Sequence, residues 1–107
     1  MQESIFRSVN YLKDTLFILE SKVQDSNYKD SLQEKIDALE ISSIKEILND
    51  VERQFSNIKN SLSDEHYNLA TDYWIEGKGQ SEVAMKYHLS TRTLRRRLND
   101  CLAVMNA

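Results

Sequence analysis

The sequence predicts an all-α protein in which a helical N-terminal region, residues 1 to 61, precedes a helix-turn-helix domain, residues 62 to 107. Three observations carry this expectation. The 107 residues include only two Gly and no Pro, a scarcity of breakers that suits helices and disfavours a sandwich or barrel with many tight turns. Apolar residues recur at helical spacing in both halves of the chain. Serines stand immediately ahead of several of these periodic runs, where a hydroxyl can accept from an unpaired amide of the first turn.

Ile5, Val9, Leu12, Leu16, Leu19 and Val23 follow one another in alternating steps of four and three, the spacing that holds a seam on one side of a helix against a partner. This stretch is expected to be a single helix, roughly 28 Å long at 1.5 Å per residue. Phe6 broadens the seam, and Tyr11 with Ile18, seven apart, forms a second stripe on another side. A two-stranded coiled coil would leave that stripe in water, so more than one neighbour is expected, either another helix of the same chain or a second subunit. The seam is read as an oligomerisation surface, a dimer being favoured; an intramolecular core is the alternative. It ends after Val23, because the next heptad positions hold Ser26 and Asp30, and Gln24 to Asp30 is a turn or a frayed continuation. Ser31 and Glu34 have capping-box spacing ahead of a short helix carrying Leu32, Ile36 and Leu39. Ser43 and Glu46 repeat that spacing, and Ile44, Leu48, Val51, Phe55, Ile58 and Leu62 run on a new heptad phase. The change of phase across Ile41 to Ser43 predicts a break or kink.

A third junction follows Leu62. With Ser63 as cap, Leu62 and Tyr67 occupy the positions of a hydrophobic staple, while Asp64 and Glu65 complement the positive end of the helix dipole. Tyr67, Ala70, Tyr73 and Trp74 line one side of a helix from Asp64 to Glu76, which Gly77 stops, and Trp74 is read as core rather than as a stacking platform. Gly79 can cap the next helix. Within it, Ala84 is small enough to let a following helix pass close, and Val83, Tyr87, Leu89, Leu94 and Leu98 would fill the shared core. His88 stands where such a tight turn normally places Gly, and His is among the residues enriched at positive φ. Ser90 is the N-cap of a helix starting at Thr91. Leu94, Leu98, Cys101 and Met105 fall on its inward side with Leu102 at the margin; Arg92, Arg96 and Asn99 lie opposite, flanked by Thr93, Arg95 and Arg97.

The charge distribution gives that outward side a meaning. The chain carries a net −3, yet between Lys78 and Leu98 the bases Lys78, Lys86, Arg92, Arg95, Arg96 and Arg97 face the single acid Glu82, so this segment carries 6 − 1 = +5. Basic charge concentrated against the overall balance is the footprint expected for phosphates. The N-terminal end of such a helix enters a DNA major groove, and Arg can pair bidentately with guanine O6 and N7. Contacts to double-stranded DNA are therefore expected from Thr91, Arg92, Thr93, Arg95, Arg96 and Arg97, with Lys78 and Lys86 beside them. The bland reading is a solvated basic face.

Other classes have little support. The longest apolar run, Leu16 to Leu19, is too short to span a bilayer, and no basic region with an apolar signal core opens the chain, so a cytoplasmic protein without a membrane partner is expected. Cys101 is the only cysteine and is read as a buried, inert thiol. With His66 and His88 the only histidines, no zinc-type spacing and no Gly-rich phosphate loop, neither a metal nor a cofactor is expected, and an enzyme is the least favoured class.

The order Leu62-Ser-Asp-Glu-His66, Tyr73-Trp-Ile-Glu-Gly77, Glu82-Val-Ala84 and Leu89-Ser-Thr-Arg-Thr-Leu94 resembles the fourth region of bacterial sigma factors. It also resembles the C-terminal domain of phage late-gene transcriptional regulators of the ArpU and RinA type, which have a similar length and a helical N-terminal half. The resemblance covers residues 62 to 105; His88 departs from its usual Gly. It implies sequence-specific binding near a promoter and activation of phage late genes, with a contact to RNA polymerase or to a regulatory protein. By motif position it places DNA contacts on Thr91, Arg92, Thr93, Arg95 and Arg96. A complete sigma factor is not expected, because no promoter-melting region fits in the preceding sixty residues. The rival reading is a helical adaptor or antagonist that holds another regulator through its helices and meets an acidic partner with the same arginines.

Overall fold

A computed structural model describes residues 3 to 24 and 31 to 105, which form six α-helices and no strand. They are α1 (Glu3–Arg7), α2 (Val9–Val23), α3 (Ser31–Ser61), α4 (Asp64–Ala70), α5 (Gln80–Lys86) and α6 (Thr91–Met105). None of them is long and apolar enough to cross a membrane.

The expected single N-terminal helix is divided at Ser8. The Ser8 hydroxyl donates to the Ser4 carbonyl at 2.8 Å, and the Ser8 amide turns instead to the Ile5 carbonyl at 3.1 Å. A side chain has taken the acceptor that the helical ladder would have used. The short α1 that results carries Phe6 into the centre of the molecule, where it is 1% exposed.

The break expected at Ile41 to Ser43 does not form, and α3 runs for 31 residues without interruption. No Gly or Pro lies in the stretch to break it, and Ser42 and Ser43 are exposed, where they do not disturb packing. The capping box expected at Ser31 depends on a side chain outside the described residues. The turn expected over Gln24 to Asp30 likewise lies outside them, except for Gln24, whose amide closes α2 on the Glu20 carbonyl.

α2 and α3 pack as an antiparallel arm. Lys22 meets Asp37 at 3.2 Å and Glu20 meets Lys45 at 3.6 Å, a reversed order that only opposite chain directions produce. Asp37 is 2% exposed and also accepts from Gln33 at 2.9 Å. The N-terminal seam is divided with the helix: Ile5 on α1 is half-buried, and on α2 Val9 is buried, Leu12, Leu16 and Leu19 are half-buried, and Val23 alone is exposed. Tyr11, Phe17 and Ile18 remain in solvent.

Beyond α3, the Ser63 hydroxyl accepts from the His66 amide at 3.1 Å and starts α4 as the sequence predicts. The helix expected to run plainly to Glu76 instead widens into a π-helical turn over Thr71–Ile75. There the Glu76 amide reaches back five residues to the Thr71 carbonyl, and the Thr71 hydroxyl bonds the Tyr67 carbonyl. Gly77, at φ 71°, ends the element.

One core joins both halves of the chain. Phe6 and Val9 of the first helices, Val51, Phe55 and Ile58 of α3, Leu69, Ala70 and Trp74, and Leu94, Leu98 and Cys101 of α6 form a single buried cluster. Phe6 stands edge-on to Phe55 with centroids 5.4 Å apart and lies 5.6 Å from Trp74, within the range in which such ring pairs attract. Phe6→Ala is therefore expected to destabilise the whole protein by about 3–5 kcal/mol. Urea unfolding followed by Trp74 fluorescence and by far-ultraviolet dichroism should give one coincident transition that shifts as a unit; two separated transitions would contradict a shared core.

Candidate nucleic-acid interface

The geometry of this face begins in the turn between α5 and α6. His88 adopts φ 57°, the conformation the sequence predicts for it. Its amide bonds the Met85 carbonyl at 3.2 Å and the Leu89 amide bonds the Ala84 carbonyl at 2.8 Å, the two-bond closure that lets a left-handed residue end a helix. The chain leaves this turn at Ser90, whose hydroxyl accepts from the Thr93 amide at 3.1 Å and donates to the Thr93 hydroxyl at 2.9 Å. α6 therefore starts at Thr91, and the Thr93 hydroxyl is engaged in the cap.

Leu94, Leu98, Cys101 and Met105 are all buried and fix which side of α6 faces the core. Thr91, Arg92, Arg95, Arg96 and Asn99 are exposed on the remainder. Consecutive helical residues diverge by about 100°, and the arginine triplet separates accordingly. Arg95 donates through Nε to Gln80 at the start of α5, at 3.1 Å. Arg97 turns the other way and pairs with Glu65 of α4. Arg96 projects between them. Neither Arg92 nor Arg96 makes a hydrogen bond or ion pair with any described residue, and Asp100, one turn beyond Arg96, forms no ion pair with it.

Lys78 and Lys86 are placed differently from the expectation of a free basic segment. Both reach Asp72 in the π turn, Lys86 at 2.8 Å and Lys78 at 3.8 Å, and the Tyr87 hydroxyl donates to the same carboxylate at 2.8 Å. Asp72 was not among the residues singled out from the sequence; it stands six residues before the segment whose charge was counted. Its position within Ala70-Thr71-Asp72-Tyr73-Trp74, an acid inside an otherwise core-forming run, was the available signal. With Asp72 answering the two lysines and Glu65 answering Arg97, the open cationic surface narrows to Arg92 and Arg96, with Arg95 at its edge.

Burial pushes the Asp72 carboxyl up, but the hydrogen bonds from Lys86 and Tyr87 and the charges of Lys86 and Lys78 outweigh it and hold the group below its ordinary value of 3.8. The hydrogen bond from Lys86 to Asp72 correspondingly holds the ammonium above its ordinary value, against some desolvation. Burial, reinforced by Asp72, raises the Tyr87 phenol. On the inward side, burial and the neighbouring Asp100 charge push the Cys101 thiol up to about 12, so the thiolate needed for reaction is scarce at neutral pH. Trp74 is 1% exposed and belongs to the core; its indole N–H has no acceptor among the described residues.

Because the folded value of Asp72 is depressed, its contribution to stability is fully present above about pH 4 and is lost as pH falls through that lower folded value. Asp72→Ala is expected to cost about 1–3 kcal/mol near neutral pH by leaving the buried end of Tyr87 without its acceptor. Urea titrations repeated at falling pH should show the gap between variant and parent closing in acid; a constant gap would mean that the carboxylate charge is not responsible. Cys101 is expected to resist thiol reagents until urea unfolds the chain, which absorbance of the released aromatic thiol would record. Compared with models of known protein families, with curated proteins and with solved structures, the chain has no match.

Proposed function

We propose that this chain is a sequence-specific DNA-binding transcriptional regulator in which α5 and α6 act as a helix-turn-helix and α6 lies in the major groove. The observation that supports this reading is the pair Arg92 and Arg96: two exposed guanidinium groups one turn apart, without a carboxylate partner among the described residues, on a helix whose opposite side is anchored by buried leucines. Guanidinium forks held in this way match guanine edges and phosphates. Thr91, at the positive end of α6, suits a backbone phosphate, and Arg95 extends the same surface. Thr93, Arg97, Lys78 and Lys86 border it with part of their bonding capacity already used.

Activation of phage late genes, with a contact to RNA polymerase or to a regulatory protein, is the finer form of the proposal and rests on the resemblance of residues 62 to 105 described above. A homodimer suits the function, since one short reading helix offers few contacts and two on a symmetric pair read half-sites about one DNA turn apart. A helical adaptor that binds another protein is the second reading, favoured by the apolar side chains left exposed on the arm.

Titration of labelled duplex at two salt concentrations tests the proposal. A DNA binder should lose affinity steeply, with a logarithmic slope of about 0.9 per phosphate neutralised, whereas no binding at low salt would favour the adaptor. Arg96→Ala is expected to weaken the preferred site by about 1–3 kcal/mol, roughly 5-fold to 150-fold, and to relax preference at one base pair if it contacts guanine. An equal loss on every sequence would assign it to phosphate. Arg97→Ala should cost less binding, because its guanidinium is already committed to Glu65.

A further inference from the structure

We infer that the arm carries a self-association surface made of Tyr11 and Ile18 on α2 and Ile36 and Leu39 on α3, and that its occupant is a second copy of this chain. These four side chains are between 48% and 71% exposed, although Ile36 and Leu39, three apart, and Tyr11 and Ile18, seven apart with Asp14 and Thr15 between them, each return to one side of their helix.

The continuity of α3 is what gives the stripe its meaning. In the sequence, Ile36 and Leu39 are out of phase with Ile44, Val51, Phe55 and Ile58. A broken helix could have turned both sets into one core. In an unbroken helix, at 3.6 residues per turn, the two sets point about 100° apart, and only the second set is buried. The phase change therefore marks a change of neighbour along one rod. α2 repeats the arrangement: its seam faces the arm's own interior, and Tyr11 and Ile18 lie about 130° away from it. Both offsets have the same sense along the chain. Because α2 and α3 run in opposite directions, the two stripes fall on the same side of the arm.

A two-helix arm that carries four apolar side chains on one outer side, among polar residues such as Asp14 and Ser43, can supply half of a four-helix bundle, and a two-fold axis completes it with the same surface from another copy. The area agrees. At their observed exposure the four residues present on the order of 500 Å² per copy, so a pair that covered them completely would remove roughly 1,000 Å², the lower bound for a specific interface, before the polar atoms between them are counted. Phe17 is 73% exposed but projects about 100° from Ile18, outside this stripe, and serves as an internal control.

The inference rests on the proposed function only for the use made of a symmetric pair. Sedimentation equilibrium of the full chain over a range of concentrations tests it without DNA. The parent protein is expected to be a dimer that dissociates on dilution. Ile18→Asp and Leu39→Asp, on different helices, are each expected to sediment as monomers with unchanged helical dichroism, while Phe17→Asp remains a dimer. Should an aspartate variant lose helicity, Leu39→Ser removes apolar area without adding charge and should still weaken dimerisation by about tenfold or more. A parent chain that is monomeric at every concentration overturns the inference and leaves the stripe to a different protein; dimers that survive Ile18→Asp and Leu39→Asp overturn it as well. A dimer that ignores duplex DNA would leave the surface standing and refute the function instead.

Discussion

The meeting of Phe6, Phe55 and Trp74 is the contact on which the rest of the molecule depends. Each ring arrives from a different part of the chain: the first short helix, the long central helix and the π turn after α4. Aromatic side chains bury more area than any others and attract one another in tilted and edge-on arrangements, so this junction ties the arm to the helices that follow it. Arg7 adds an outer clasp, its guanidinium lying 4.7 Å from the centre of the Tyr73 ring. Against this platform α6 lays Leu94, Leu98 and Cys101, and only then is the direction of its arginines determined.

Asp72 complements that apolar junction with a polar one. The π turn brings its carboxylate to the end of α5, where Lys86, Tyr87 and Lys78 converge on it. A buried carboxylate is costly unless it is paired and hydrogen-bonded; here Lys86 and Tyr87 both donate to Oδ2, and the Lys78 ammonium stands 3.8 Å from Oδ1. The same bonds hold α5 against the segment carrying Trp74, so the attitude of α5, and through the His88 turn that of α6, is set by both kinds of contact. The electrostatic result is selective. Positive charge that looks uniform along the sequence is divided in space into the compensated Lys78, Lys86 and Arg97 and the open Arg92 and Arg96.

The parts of the molecule legible in the sequence are those governed by neighbours along the chain. The caps at Ser63 and Ser90, the positive φ of His88, the stop at Gly77 and the inward residues of α6 follow from interactions within one or two turns, and side-chain chemistry names them directly. The division at Ser8 is local too, but a serine in a seam-forming stretch reads equally well as a solvent-facing helix residue. Whether a phase change in α3 meant a kink or a second neighbour depended on what packs against it, which periodicity alone does not contain. Phe6 was read as a margin of the seam because its neighbours, Phe55 and Trp74, lie about fifty and seventy residues away along the chain. The acceptors that engage Lys78, Lys86 and Arg97 are hidden in the sequence for the same reason: Asp72 and Glu65 precede the basic segment Lys78 to Leu98, and only folding brings them to it.

The divergence of the arginine triplet has a thermodynamic consequence for whatever docks on α6. Arg95 on Gln80 and Arg97 on Glu65 act on opposite flanks of the helix and resist its rolling about its own axis. The helix that carries Arg92 and Arg96 is therefore held in place by the fold itself, and the entropy of orienting that helix is spent in folding. A surface set in this way can discriminate by shape from the first encounter, because reshaping the rod that carries it would mean breaking contacts the fold already holds.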